Sequence, residues 1–206
     1  MSGALLIAGI VAAVAFGPAA HAAVVITAFS SPLEIYDDFF GIYYPIDVDK
    51  SGSTDFTFAT SFQGTVLQMP VSSRGVIRLD PPPNVGGPPV PLAIGYLIGV
   101  TLDPSEFQDL YWDSNNLTIV QVLSTGSGSA FSGRGAIGIE FQAADGVHYG
   151  YFDISAGPGY AGITLFGWAY ESQPGVAILV GQVPEPSTLI LAGVATAFLL
   201  LRYRRE

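Results

Sequence analysis

The sequence predicts an all-β protein whose body is a single sandwich. Three observations carry this expectation. Short runs of β-branched and aromatic residues recur at a spacing of about 8 to 15 residues. Gly, Pro, Asp, Asn and Ser separate them. No window shows the apolar period of about 3.6 residues that marks a surface helix. This is the pattern of an antiparallel sandwich, here expected to be of jelly-roll or lectin-like type, flanked by an N-terminal signal helix and a C-terminal single transmembrane helix.

Residues 4–16 (ALLIAGIVAAVAF) are an uncharged apolar run of 13 residues. Gly17-Pro18 breaks it, and Ala20-His21-Ala22 supplies an A-x-A site with cleavage expected before Ala23. No Lys or Arg precedes the run, so the charge ahead of it is that of the amino terminus alone. Residues 1–22 thus read as a secretory signal peptide.

The body, residues 23–182, begins with expected strands at 24–29, 41–48, 55–62, 64–71 and 75–80. It continues at 92–100, 117–124, 135–143, 147–155, 163–171 and 176–181. The clearest alternation sets Ile137, Ile139 and Phe141 against Gly138, Glu140 and Gln142, one apolar and one polar face. Asp145-Gly146 then signals a hairpin into VHYGYFDI. Two stretches interrupt the strands. Residues 80–91 (DPPPNVGGPPVP) hold six prolines in twelve residues, which removes ladder donors and makes a surface loop. Residues 124–132 (STGSGSAFS) are a second small-residue loop.

The tail explains itself by its order. Pro184 and Pro186 around Glu185 force extended geometry on their neighbours. Residues 188–201 are then apolar or small, about 21 Å if helical, a minimal span against a hydrocarbon core of about 30 Å. Arg202, Arg204 and Arg205 set the topology, with the carboxy terminus on the cytoplasmic side.

Seven basic and seventeen acidic residues give a formal charge of −10. Without the three tail arginines, Glu185 and Glu206, the body holds four basic and fifteen acidic side chains, a charge of −11. Such a body repels phosphate backbones, which excludes nucleic acid as a natural partner; cations, glycans and proteins remain. There is no cysteine, so packing and bound ions, not disulfides, must hold an exported fold.

The tail from Val183 to Glu206 resembles the PEP-CTERM sorting domain of Gram-negative bacteria. The Pro184-Glu185-Pro186 tripeptide, the apolar segment and the terminal arginines carry the resemblance. It implies processing by an exosortase, a peptidase-like membrane enzyme of bacteria that make exopolysaccharide. The protein would pass through an inner-membrane anchored intermediate to the outer surface or the medium. Residues 148–154 and 167–181 also look like the end of other ectodomains with this tail, without implying an activity.

Residues 47–55 (DVDKSGSTD) place oxygen ligands at alternate positions of a tight loop, the arrangement a hard cation such as Ca²⁺ needs. Asp47, Asp49, Ser51 and Asp55 would offer side-chain oxygens and Ser53 a carbonyl, with Gly52 at the sharp turn. No acid stands at loop position 12, which excludes an EF-hand; the loop resembles the calcium loops of FG-GAP-type repeats. The competing reading is a hairpin turn with solvated carboxylates.

Other constellations are weak. Residues 133–138 match G-x-G-x-x-G, but strand alternation follows where a dinucleotide site needs a helix. His148 is the lone histidine of the body, with no G-x-S-x-G elbow and no cluster for catalytic metal; a polar residue on a half-exposed strand is expected. Glu140, Asp145 and Asp153 read as acids on a solvated face rather than a glycosidase pair. Trp112, Trp168, Tyr149, Tyr151 and Tyr170 fill a core or stack on sugar. The function expected is a non-enzymatic surface or extracellular-matrix protein associated with exopolysaccharide. The alternatives are a glycan-binding module and a glycan-active enzyme.

Overall fold

The computed structural model describes residues 23–36, 41–61, 64–69, 74–79, 89–103, 110–113, 119–121, 131, 133–156 and 162–182. Among these residues there is no helix, and every sheet is antiparallel. The expected signal and transmembrane helices, with Ala20, Ala22, Pro184, Glu185, Pro186, Arg202, Arg204 and Arg205, lie outside the described residues.

The chain supplies β1 (Val24–Ile35), β2 (Tyr43–Ile46), β3 (Phe56–Ser61), β4 (Gly64–Gln68), β5 (Arg74–Leu79) and β6 (Leu97–Ile98). The second half adds β7 (Leu110–Asp113), β8 (Ile119–Gln121), β9 (Gly133–Ala143), β10 (Gly146–Ala156), β11 (Ile163–Glu171) and β12 (Ile178–Leu179). Six strands form one sheet in the order β1-β11-β10-β9-β5-β7, four form a second in the order β2-β3-β4-β8, and β12 pairs with β6 in a short ribbon.

The centre is the β9–β10 hairpin, paired without a break from Gly146↔Ala143 to Ala156↔Gly133. Its alternation is that of the sequence: Ile137, Ile139 and Phe141 are fully buried. They join Phe152, Ile154, Leu165 and Trp168 in a core shared with Phe56, Phe58, Leu67 and Met69 from the four-stranded sheet and its edge. Phe152 sits between the two aromatic rings of β3, edge-on to Phe56 at 5.4 Å and to Phe58 at 5.2 Å. Edge-to-face pairs at such separations add about 0.5–1.5 kcal/mol each beyond area burial.

The other face of the six-stranded sheet departs from expectation. Gly138 is buried and Glu140 only partly exposed, because a second core covers this side. Ile77, Ala136, Tyr149, Tyr151 and Ala169 pack there against Val90, Leu92, Tyr96, Ile98, Ile178 and Val180. A Cβ on Gly138 would lie 2.4 Å from Ile77 and 3.0 Å from Leu92, so the glycine is what lets the covering segment approach.

That covering segment also corrects two expected strands. Residues 92–100 and 176–181 read as continuous β-runs, but only Leu97–Ile98 and Ile178–Leu179 pair. A turn closed by Tyr96 N–H to the Ala93 carbonyl, with Gly95 at φ 91°, interrupts the first. Leu92 instead exchanges two backbone hydrogen bonds with Ala136 on β9. Strand β7 was not expected at all, while β1 runs on past residue 29 to Ile35.

A bulge disturbs β11. Gly167 pairs with Asp153 but Leu165 pairs with Ile154, leaving Phe166 as the extra residue. On the other side the β1 register jumps between Ala28 and Leu33. Leu165 and Trp168 therefore both reach the first core. Gly167 accommodates the distortion at φ 153°, with the Thr27 carbonyl oxygen 2.1 Å from where a Cβ would be.

Candidate functional site

The loop between β2 and β3 carries the carboxylates. Ile46 ends β2, and its carbonyl accepts from Asp55 N–H at 2.8 Å, which closes residues 47–54 into a tight excursion. Lys50 at φ 61° and Gly52 at φ 90° make the reversals; left-handed backbone is cheap for glycine and uncommon for lysine. Inside the loop, Ser51 N–H donates to Asp47 Oδ1 at 3.0 Å and to Asp49 Oδ1 at 2.9 Å. Gly52 N–H donates to Asp47 Oδ2 at 2.7 Å, and Val48 N–H to Asp55 Oδ2 at 2.8 Å.

The outcome is that Asp47, Asp49 and Asp55 each bring one carboxylate oxygen within 4.8 Å of the others. Asp55 is buried and the other two are half-buried. At an effective dielectric of 20, each pair of charges at that distance repels by about 3 kcal/mol. The backbone donors offset part of this. The donor set is all oxygen, which suits a hard divalent ion, although three carboxylates need carbonyl oxygens or water to reach six to eight ligands. Ser51 and Ser53 are exposed; the part Ser51 plays is through its backbone N–H.

The loop is fixed to the six-stranded sheet. The indole N–H of Trp168 donates to the Val48 carbonyl at 3.1 Å. Tyr170, two residues on, has its phenol pushed above its ordinary range by burial first, and then by the charges of Asp49, Asp145 and Asp55.

His148 is not the half-exposed polar residue expected. It is buried, stacked on Phe141 at 5.6 Å and edge-on to Tyr170 at 5.9 Å. Nδ1 meets the Glu171 carbonyl at 2.7 Å and Nε2 meets Asp145 Oδ1 at 2.8 Å. The hydrogen bond from His148 holds the Asp145 carboxyl below its usual range. The ring clamps the β9–β10 turn to the end of β11.

A second feature lies on the outer face of the six-stranded sheet, and sequence reasoning missed it. A cleft of about 470 Å³ is lined by Leu92, Ile94, Arg134, Tyr151, Asp153 and Gly181, among others. A shallower hollow shares Tyr151 and Asp153 and continues to Ile26 and Phe166. Arg134 makes a two-pronged ion pair with Asp153, at 3.0 and 2.7 Å. Its guanidinium stands 4.0 Å from the centre of the Phe166 ring. Tyr151 accepts from Gly181 N–H at 3.1 Å, and burial pushes its phenol up. The available signal was that Arg134 is one of four basic residues in an acidic body.

The remaining candidates do not assemble. Glu140 and Asp153 both stand on the second-core side but belong to different surroundings: burial pushes Glu140 up, whereas Asp153 is spent on Arg134. The aromatic residues do not form one platform, since Trp168 and Tyr170 pack with the first core and Trp112, Tyr149 and Tyr151 with the second. The glycines of 133–138 lie on β9, with no helix behind them.

At Gln182 the described body ends and the tail follows. The PEP-CTERM protein-sorting motif matches residues 182–205. No curated protein and no solved structure matches the chain.

Proposed function

We propose that this chain, which carries a PEP-CTERM sorting motif and is thereby an exosortase-sorted exported protein, acts as a non-enzymatic surface or extracellular-matrix protein. Its two facing sheets are read as a β-sandwich, and the exopolysaccharide around the cell as its setting. The sorting motif at residues 182–205 is the observation that carries the reading. The charge of −11 on the body suits a hydrated polyanionic or cation-rich exterior.

The loop at 47–55 would hold Ca²⁺, supported by the three grouped aspartates. Asp47, Asp49 and Asp55 would be its carboxylate ligands, and the ion would cancel their mutual repulsion and stiffen the β2–β3 connection.

A second reading, a glycan-binding module, is favoured by one feature. The cleft beside Tyr151 joins an aromatic ring, a guanidinium and a carboxylate, the mixture of stacking and charged hydrogen bonding that sugars use. Expression in an exopolysaccharide-producing host with an exosortase tests both. Recovery of the processed protein in the extracellular polysaccharide fraction supports the first reading; loss of that retention in Tyr151→Ala alone supports the second. Protein found solely in the inner membrane would refute both.

A further inference from the structure

The ribbon of β6 and β12 is apolar on its outside as well as its inside. Ile98 and Ile178 are a cross-strand pair turned into the second core, both fully buried. By strand alternation their neighbours Leu97 and Leu179, also a cross-strand pair, face outward, and they are 46% and 42% exposed. Ile94, 87% exposed, stands beside Gly181 at the end of the ribbon, and Val100, 79% exposed, at the other. Isolated exposed apolar residues need no explanation; these share one small element.

The element also carries no charge of its own, as is true of residues 56–73, 114–133 and 154–170. No Asp, Glu, Lys or Arg occurs between Asp80 and Asp103, or between Glu171 and Glu185. The charged residues that line the cleft with Ile94 and Gly181 are Arg134 and Asp153, an ion pair that cancels its own charge, so the ribbon adds no net charge to this end of the body. It is also where the chain leaves the fold, since β12 ends three residues before Gln182. From Gln182 to the start of the apolar run at Thr188 is six residues, at most about 20 Å when extended.

We infer that this ribbon is a membrane-resting edge. While the tail is still anchored, Ile94, Leu97, Leu179 and Val100 sit in the lipid interface, and the acidic remainder of the body faces water. An acidic face pressed on anionic headgroups would be repelled, whereas a neutral apolar edge is not. Resting there places the segment after Gln182 at the depth where a membrane enzyme meets it, and its removal leaves the edge held by four side chains alone. The inference rests on the anchored reading of residues 188–201.

The absence of cysteine makes the test clean. Full-length protein carrying Ile94→Cys, Leu97→Cys or Tyr43→Cys is labelled with a polarity-sensitive fluorophore and reconstituted in phosphatidylcholine vesicles with brominated acyl chains. Tyr43, an exposed residue of β2 in the other sheet, is the control. Co-flotation with the vesicles reports the anchor independently. Labels at 94 and 97 are expected to shift to the blue and to be quenched roughly two-fold or more, as for side chains about 5–10 Å into the interface, with no quenching at 43. Co-flotation with water-like emission at all three sites would overturn the resting edge while leaving the anchor standing. Blue-shifted emission that bromine does not quench, and that rises with protein concentration, would assign the edge to a second copy and equally overturn it. Failure to float would remove the anchor on which the inference rests, and the inference with it.

Discussion

Trp168 and Val48, 120 residues apart in sequence, are joined by an indole N–H···O=C hydrogen bond of 3.1 Å. Through it the carboxylate loop is mounted on β11, the strand whose bulge lets Trp168 reach that side. The loop is therefore held in place from outside as well as by its own backbone donors.

This mounting separates two variants. Asp49→Ala removes one of the three grouped oxygens without touching the bonds from Val48 or Gly52. The ion-free protein should melt at nearly the wild-type temperature, while Ca²⁺ no longer protects it. Wild type should gain about 2.7 kcal/mol at a hundred-fold excess over Kd, or ~5–10 °C for a domain of this size. Asp55→Ala should behave differently. It leaves Val48 N–H without its partner in a buried place, a loss of about 1–3 kcal/mol even without ion. Calorimetry of both variants with Ca²⁺ and with chelator decides; equal melting of wild type in the two conditions would remove the ion.

Gly167→Ala should be a strongly damaging single methyl. The Cβ would lie 2.1 Å from the Thr27 carbonyl oxygen at a φ of 153°, so β1 must move away from β11. A loss of about 3 kcal/mol is expected. Chemical denaturation measures it, and a change below 1 kcal/mol, about the median for any substitution, would show that the bulge relaxes freely.

How far the fold could be read in advance depended on which faces were covered. The β9–β10 hairpin was legible because Ile137, Ile139 and Phe141 alternate cleanly and Asp145-Gly146 marks the turn. The second core was not. Gly138 looks like part of a solvated face until Leu92 packs over it, and that contact is set by tertiary structure, not by local pattern. The same contact explains why residues 92–100 pair so little: their apolar character serves to cover a sheet, not to extend one. The loop at 47–55 was legible by spacing, whereas the Arg134–Asp153–Phe166 group depends on strand register and a bulge.

Glu140 offers a pH test. Burial raises its carboxyl above the ordinary value of 4.5, so the charged form is the costly one. Stability should be unpenalised below the unfolded value and should fall as pH rises through the folded one. Glu140→Gln should therefore raise the melting temperature at pH 7 by on the order of 2 °C and leave it unchanged near pH 3. A variant less stable than wild type at pH 7 would show that the carboxylate is wanted there.

His148→Phe keeps the stack on Phe141 but withdraws both ring nitrogens. The Glu171 carbonyl loses a partner in a buried site, which costs about 1–3 kcal/mol. The Asp145 carboxyl should return toward its usual range, visible by carbon-detected NMR titration. An unmoved Asp145 would mean that something other than His148 holds it low.

We propose that the Pro184–Glu185–Pro186 segment, ahead of a short apolar run and three arginines, is what an exosortase reads in the sorting motif at residues 182–205. Carrying those arginines through hydrocarbon would cost about 2.5–3.5 kcal/mol each on insertion scales, so on this proposal the tail would stay and cutting would release the body. The direct measurement is the intact mass of the protein recovered from a host with an exosortase. Wild type should have lost everything beyond the motif, and a chain with alanine at 184, 185 and 186 should remain full-length in the inner membrane. Wild-type protein that keeps Arg205 and stays membrane-bound in that host would contradict the sorting reading and leave an ordinary tail anchor.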